Sequence, residues 1–525
     1  MLEDLSSFEL NLLLEKKIQT ERKSLNAGRG NPNWTAPIPR EAFILLSQFA
    51  LMETTDMHHS LIRGMMEEDS TRYKRFQMFL EKNSGRGSFF LQQVLTDGVV
   101  YFGMNQHEWL DKMLDYTIGD NYPNPVRCLD ACESPIKNYL KYELFSGSDT
   151  SFDIFTVEGG TAGICYLFDT LVNNFILKKG DKIALLVPSF APYLEIPELP
   201  QYNFNVLKIN AEQSICDGNL IYQYPTHEID KLKDKDVKAV FIVNPSNPTA
   251  NSMSQSTIHQ IKEIVETDNP NLMILTDDVY GTFVSDFNSL FVELPYNSAC
   301  IYSYSKYFGA TGWRVGTVAV AQDNIFDKLI SDLPLEQELQ LKLRYQSLNQ
   351  KGDSIRFIDR MVADSRDIAL NHAAGLSSVQ QVMMTLFSLY SLLDTKDDYK
   401  TSVMNLCHER EERLFHSLGI KEEVEPLNTA YYFEFNFKDW VESRYGLDFS
   451  RYLQSEWTIT KVLTRLAEKE KLLLLKTDDF GSDEWSVRIS LANLETESYE
   501  EVGKRIIRLS EEIKKEWEKN KKVGV

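Results

Sequence analysis

Residues 303–316 read S-Y-S-K-Y-F-G-A-T-G-W-R-V-G, and how the rest of the chain is understood depends on them. Immediately upstream, residues 298–302 are short, apolar and aromatic, the pattern of a buried strand. Lys306 stands at the centre, with hydroxyls at Ser303 and Ser305 and the guanidinium of Arg314 eight positions on. A lysine so placed can serve as a nucleophilic amine, and hydroxyls with an arginine can hold a phosphate. The same residues also suit an exposed Lys and Arg on a glycine-broken turn, so the remaining sequence has to choose.

Working outward, residues from about 150 onward alternate short apolar strands with helices, the texture of an α/β layer with a mainly parallel sheet. Phe152–Val157 leads into E-G-G-T-A-G (158–163) and an apolar helix reaching about Ile176. A strand, glycines and a helix start present free N–H groups to an anion. The spacing fails the dinucleotide fingerprint, which needs three glycines and a later ribose-binding acid. Lys182–Val187 ends in Pro188-Ser189-Phe190, and residues 239–243 run into N-P-S-N-P-T (244–249). Residues 272–276 end at Asp277-Asp278-Val279-Tyr280. A carboxylate ending a buried strand is costly unless it meets a cation, although two acids capping a helix would also account for this pair.

Taken together these segments resemble the aspartate aminotransferase superfamily, the type I fold of enzymes using pyridoxal 5'-phosphate. K-Y-F-G-A-T-G-W-R (306–314) and G-R-G-N-P-N (28–33) are most similar to one branch, the aspartate 4-decarboxylases. The resemblance implies an α/β large domain with a mostly parallel seven-stranded sheet, helices on both faces, and an α+β small domain. Residues 126–385 would form the large domain, 1–125 an N-terminal arm with the helical part of the small domain, and 386–525 its C-terminal part. Lys306 would form the Schiff base and act as base. Gly160, Thr161, Ser303, Ser305 and Arg314 would hold the phosphate, and Phe190 would stack on the ring. Asp277 would pair with the ring nitrogen, with Asn247 and Tyr280 at the phenolic oxygen. Tyr122 would reach the neighbouring subunit's phosphate. Arg488, in W-S-V-R-I-S (485–490), would grip the substrate α-carboxylate, and Arg29 with Gly30 the distal one. Ala250 and Asp278 stand where Gly and Glu are commoner in the family.

The resemblance further implies β-decarboxylation of L-aspartate to L-alanine and CO2, with aspartate aminotransferase side activity. The alternative is a dedicated aminotransferase for a dicarboxylic or aromatic amino acid. A homodimer at least is expected, assembled into a larger closed oligomer, a dodecamer in that branch. A sensor of the same fold without turnover would carry a basic DNA-binding module, which residues 1–120 do not show.

Composition agrees with a globular enzyme: 525 residues, 43% hydrophobic, formal charge −21. So acidic a chain disfavours nucleic acid or an anionic membrane as partners. Six cysteines are too sparse for a disulfide scaffold, and Cys128 and Cys132 read as small buried hydrophobes rather than zinc ligands. No metal is expected. The first residues lack a signal-peptide pattern and no apolar run has bilayer-spanning length, so the compartment is read as cytoplasmic.

Elsewhere the expectations are structural. Residues 5–23 should form a helix burying Leu5, Phe8 and Leu12. Residues 40–120 should be helices with polar breaks, with G-R-G (85–87) a surface turn. Residues 313–320 should be a strand, 325–348 one long helix, 430–437 and 487–491 strands, and the charged C-terminus a solvated helix or tail.

Overall fold

Seven strands form the central sheet: β1 (Phe152–Val157), β2 (Lys182–Val187), β3 (Asn205–Asn210), β4 (Val237–Val243), β5 (Met273–Asp277), β6 (Ser298–Ser303) and β7 (Gly316–Ala321). Their order is β1-β7-β6-β5-β4-β2-β3. β7 runs antiparallel to β6 and β1, and the other pairings are parallel, as the sequence led us to expect. The computed structural model describes residues 2–18, 24–56, 62–99, 102–119, 126–216, 219–346, 355–366, 375–421 and 426–523.

The strands read as unbroken apolar runs because both faces are covered. Leu185, Phe241 and Leu275 face a layer containing Ile164 and Leu167 of the helix Gly160–Asn173. Their neighbours Leu186, Ile242 and Ile274 face Ile258 and Ile261 of the helix Gln255–Thr267. Successive side chains alternate between the two cores with the period of a strand. Each such residue contributes roughly 1.5–3 kcal/mol by leaving water.

A second sheet joins β8 (Tyr432–Asn436), β9 (Leu475–Lys476) and β10 (Ser486–Ser490) in the order β8-β10-β9, all antiparallel. The N-terminal segment is woven onto it. Leu25-Asn26 pairs in parallel with Leu472-Leu473, and Ser490 N–H donates to the Ala27 carbonyl at 2.7 Å. This pairing carries residues 28–30 across the carboxyl ends of the central strands.

Five expectations are corrected. Helix α1 (Ser7–Ile18) buries Leu10, Leu14 and Ile18, whereas Phe8 and Leu12 face outward; an i, i+4, i+8 stripe on the opposite side won the docking surface. Among residues 40–120 a short hairpin, Thr54–Asp56 with Arg63–Met66, interrupts the helices. Gly85-Arg86-Gly87 opens a helix, Arg86–Gln93, that packs on helix α2 (Pro37–Glu53). A Cβ on Gly87 would sit 2.8 Å from the Ala42 nitrogen, so that glycine serves close helix approach. The strand expected from 313 begins at Gly316, because Arg314 takes the left-handed conformation (φ 54°). Finally, Pro334 divides the expected long helix into Ile325–Ser331 and Leu335–Arg344.

The C-terminal segment is a helix, Ser498–Val523, with Ile506, Leu509 and Ile513 buried. Cys128 and Cys132 are buried thiols pushed up by burial, Cys132 to about 12, and the described residues contain no metal-ligating cluster. No helix among the described residues is long and apolar enough to cross a membrane.

Candidate active site

The carboxyl ends of β1, β4, β5 and β6 open onto a cavity of about 330 Å3, a size suited to a small cofactor with its substrate. Into it the fold brings Gly30, Gly160, Thr161, Phe190, Asn247, Asp277, Tyr280, Ser303, Ser305, Lys306, Arg314 and Arg488. Two candidates are not gathered there. Arg29 lies outside the cavity wall, its guanidinium bonded to both Glu15 oxygens at 2.8 Å. Tyr122 lies outside the described residues.

At one end, the helix Gly160–Asn173 points its N-terminus into the cavity. Gly159 precedes it at φ +91°, and a Cβ there would meet Arg314 Nη2 at 2.5 Å. Glycine thus admits the guanidinium against the helix start. Arg314 donates to the carbonyls of Thr311 (3.2 Å) and Glu158 (3.3 Å) and has no acidic partner among the described residues. Ser303 Oγ donates to Ser305 Oγ at 2.8 Å beside it. Helix N–H groups, two hydroxyls and an unpaired guanidinium make an anion cradle.

Along the floor, Asp277 ends β5 fully buried. Burial pushes its carboxyl up to about 6, against hydrogen bonds from Tyr193 Oη (2.7 Å) and Val279 N–H (3.1 Å) and the Lys306 charge. This acid therefore has room for a cationic partner it does not yet touch. Lys306 Nζ donates to the Gly30 carbonyl at 3.0 Å, and the same carbonyl accepts from Tyr431 Oη at 3.0 Å.

On the opposite wall Arg488 is buried without a bonded carboxylate among the described residues. It donates to Asn247 Oδ1 (3.0 Å) and the Gly28 carbonyl (2.9 Å), lies 4.3 Å from the Tyr432 ring centroid, and leaves Nε unpartnered. A buried cation in this state calls for an anion. Because Arg488 holds Oδ1 of Asn247, the amide's Nδ2 is the atom free to donate. Tyr280 and Tyr432 share a hydrogen bond at 3.0 Å.

Comparison with known proteins gives the same answer. The sequence model described as "Aminotransferase class I and II" matches residues 149–506. The chain belongs to this family. A bifunctional aspartate aminotransferase and L-aspartate β-decarboxylase of Pseudomonas sp. is 41% identical over 524 residues, 98% of each chain. A probable aspartate aminotransferase of Methanocaldococcus jannaschii is 25% identical over 39% of this chain and 50% of its own. Among solved structures, an aspartate aminotransferase variant of Thermus thermophilus in complex with tryptophan superimposes with a TM-score of 0.60 at 14% identity. It covers 97% of this chain and 98% of that one. N-succinyldiaminopimelate aminotransferase of Mycobacterium tuberculosis gives 0.58 at 16%, covering 96% and 97%.

Class I and II aminotransferases are pyridoxal phosphate enzymes, and this chain is one of them. The cavity fits that cofactor on its own evidence. An anion cradle for a phosphate, a buried acid for a ring nitrogen and an amine for an aldehyde all face one space, and Gly159 leaves room for the Arg314 guanidinium in the cradle.

Several lining residues escaped the sequence reading: Tyr193, Tyr432, Thr311, Asn31 and Phe8. Tyr193 carried a signal, sitting three positions after Phe190 at a helix start. Tyr432 did not, since its position follows from the β8–β10 register, in which Tyr432 faces Ser490 and Glu434 faces Arg488.

Proposed function

We propose that this aminotransferase-family enzyme converts L-aspartate to L-alanine and CO2, with aspartate aminotransferase activity alongside. The observation that carries this reading is the full-length 41% identity with a relative named for both activities. The G-R-G-N-P-N segment and the cation-rich cavity support it. Lys306, Arg314 and Arg488 line the cavity, with Asp277 as the one acid among the described lining residues.

Bound pyridoxal phosphate supplies an aldehyde for the substrate amine and a pyridinium ring that accepts electrons. The chain's own residues do the rest. Gly160, Thr161, Ser303, Ser305 and Arg314 hold the phosphate, and Phe190 packs on the ring. Asp277 keeps a proton on the ring nitrogen, while Asn247 Nδ2 and Tyr280 hold the phenolic oxygen. Lys306 Nζ takes the Cα proton, and Arg488 orients the α-carboxylate through two parallel hydrogen bonds. The distal carboxylate must be held without being fixed, since a firm bidentate grip favours the ionised ground state over departure as neutral CO2. Arg29 can take part only when its pair with Glu15 opens.

Incubation of pure enzyme with aspartate tests the reading. CO2 and alanine without added keto acid are expected. Oxaloacetate formed strictly in proportion to added keto acid would instead mark a dedicated aminotransferase for dicarboxylic or aromatic substrates.

The proposal includes residues 126–385 as cofactor domain, with 1–125 and 386–525 as the smaller one. It also includes a cytoplasmic enzyme working as a homodimer, assembled into a dodecamer. Five described cysteines are unpaired, and Ile44, Leu51, Met52 and Phe89 leave apolar surface open for contacts between copies. Light scattering on the purified protein measures the copy number.

A further inference from the structure

We propose that Tyr432 is the acid that delivers a proton to the substrate's side-chain carbon as CO2 leaves. This rests on the decarboxylase reading and adds a residue to it.

The chemistry demands a second acid. Aspartate becomes alanine when the bond between the side-chain carbon and its carboxylate breaks. CO2 departs neutral, the electron pair stays with the carbon, and a new C–H bond forms there. One proton is consumed per turnover and comes ultimately from water. Transamination places no proton on that carbon. Lys306 Nζ already serves Cα, so decarboxylation alone needs another donor.

Geometry selects it among three phenols on the cavity wall. Tyr193 Oη is committed to Asp277 at 2.7 Å. Tyr280 belongs to the cofactor's oxygen in the reading above. Tyr432 remains, its ring 4.3 Å under the guanidinium proposed to hold the substrate. Its hydroxyl sits where any side chain at position 30 would lie, since a Cβ on Gly30 would be 2.4 Å from it. The glycine therefore clears the approach of this hydroxyl to the cavity.

The surroundings favour giving up the proton. The groups facing Tyr432 are Lys306, Arg488 and Tyr280, with the Tyr431 ring packed alongside at 4.9 Å. Burial opposes ionisation, but the two cations and the Tyr280 hydrogen bond outweigh it and bring the phenol below its ordinary value. Tyr280 moves the other way, pushed up by burial and then by Tyr432 and Tyr431. Of the pair, Tyr432 gives its proton while Tyr280 keeps its own. Water at the cavity mouth restores the proton.

Tyr432→Phe keeps the ring and removes the hydroxyl. CO2 release from aspartate should fall at least tenfold more than oxaloacetate formation with added keto acid. Ultraviolet difference titration of the cofactor-free protein should lose one tyrosine ionising below about pH 10. In the wild type, only protonated Tyr432 donates, so the ratio of alanine to oxaloacetate should fall as pH rises through that ionisation. Should the variant not fold, this wild-type profile decides, and a ratio independent of pH up to about 10 overturns the proposal. Equal loss of both reactions in Tyr432→Phe, or an unchanged phenol titration, overturns it too. Wild-type enzyme releasing no CO2 sinks the decarboxylase reading with it, whereas CO2 release with an unchanged ratio in the variant sinks only the role of Tyr432.

Discussion

Arg29 and Arg488 show what a single side chain's neighbours decide. Both are arginines in segments that carry the family resemblance, yet one is bonded to Glu15 outside the cavity and the other is buried in its wall with no carboxylate bonded to it among the described residues. If Arg29 exchanges Glu15 for the substrate's distal carboxylate, Glu15→Gln should lower KM for aspartate several-fold and Arg29→Ala should raise it. Steady-state kinetics on both variants checks this, and KM values within twofold of wild type would make the pair purely structural. Most of the candidate site was legible at this scale. Lys306, Asp277, Asn247 and Arg314 each sit in a short motif at a strand end, where local chain order dictates chemistry. Tyr432 and the Glu15–Arg29 pair were not, because they depend on register and docking between distant segments.

Among the elements, the buried strands were the easiest to read and α1 the hardest. β1 and β2 fall on the expected residues because a strand covered on both faces leaves an apolar run with clear ends. Helix α1 carries leucines on several sides, and only its docking surface decides that Leu10 and Leu14 go in. Its start is fastened by Ser7, whose N–H donates to Asp479 Oδ2 at 2.9 Å and whose hydroxyl donates to Oδ1. That fastening sets Phe8 at the cavity mouth, 6.0 Å from the Phe190 ring. Ser7→Ala should raise KM for aspartate while shifting the melting temperature by only about 2 °C, roughly what a lost hydrogen bond is worth in a large chain. The turn after Lys306 is far less forgiving. Gly309 has φ +58°, and a Cβ there would lie 1.9 Å from the Trp34 carbonyl oxygen. Gly309→Ala should therefore cost about 2 kcal/mol or more in denaturant unfolding and lower the fraction of enzyme that retains cofactor.

For the whole molecule, the buried acids tie stability to pH. Asp277 titrates at about 6 in the folded protein against an ordinary 3.8. Its folded value is raised, so its contribution is most favourable below about pH 4 and is lost as pH rises through about 6. Full ionisation costs on the order of 3 kcal/mol. Cofactor-free Asp277→Asn should accordingly be more stable than the cofactor-free wild type above about pH 7 and similar near pH 4. Bound cofactor should narrow that gap by setting a protonated nitrogen against the carboxylate. Urea midpoints across this range measure it, and a gap that does not depend on pH would show that Asp277 is not the group responsible. Asp278, raised to about 7 by burial, is met by Ser289, Thr276 and Cys300 rather than by a cation, so it adds to the same trend in both forms. Architecture at this scale was legible because alternating strands and helices leave few ways to cover a parallel sheet. The path of residues 25–30 across that sheet was not, since it is set by pairing with a segment more than four hundred positions away. The three cations lining the cavity, the buried Arg488, the half-buried Lys306 and the exposed Arg314, also sit within a chain whose formal charge is −21. Dissolved ions shorten the reach of the outer negative field to about 8 Å at physiological strength but screen short contacts to a buried group such as Arg488 much less. Moderate salt should therefore speed the encounter with anionic amino and keto acids, the reverse of what an electropositive exterior would give.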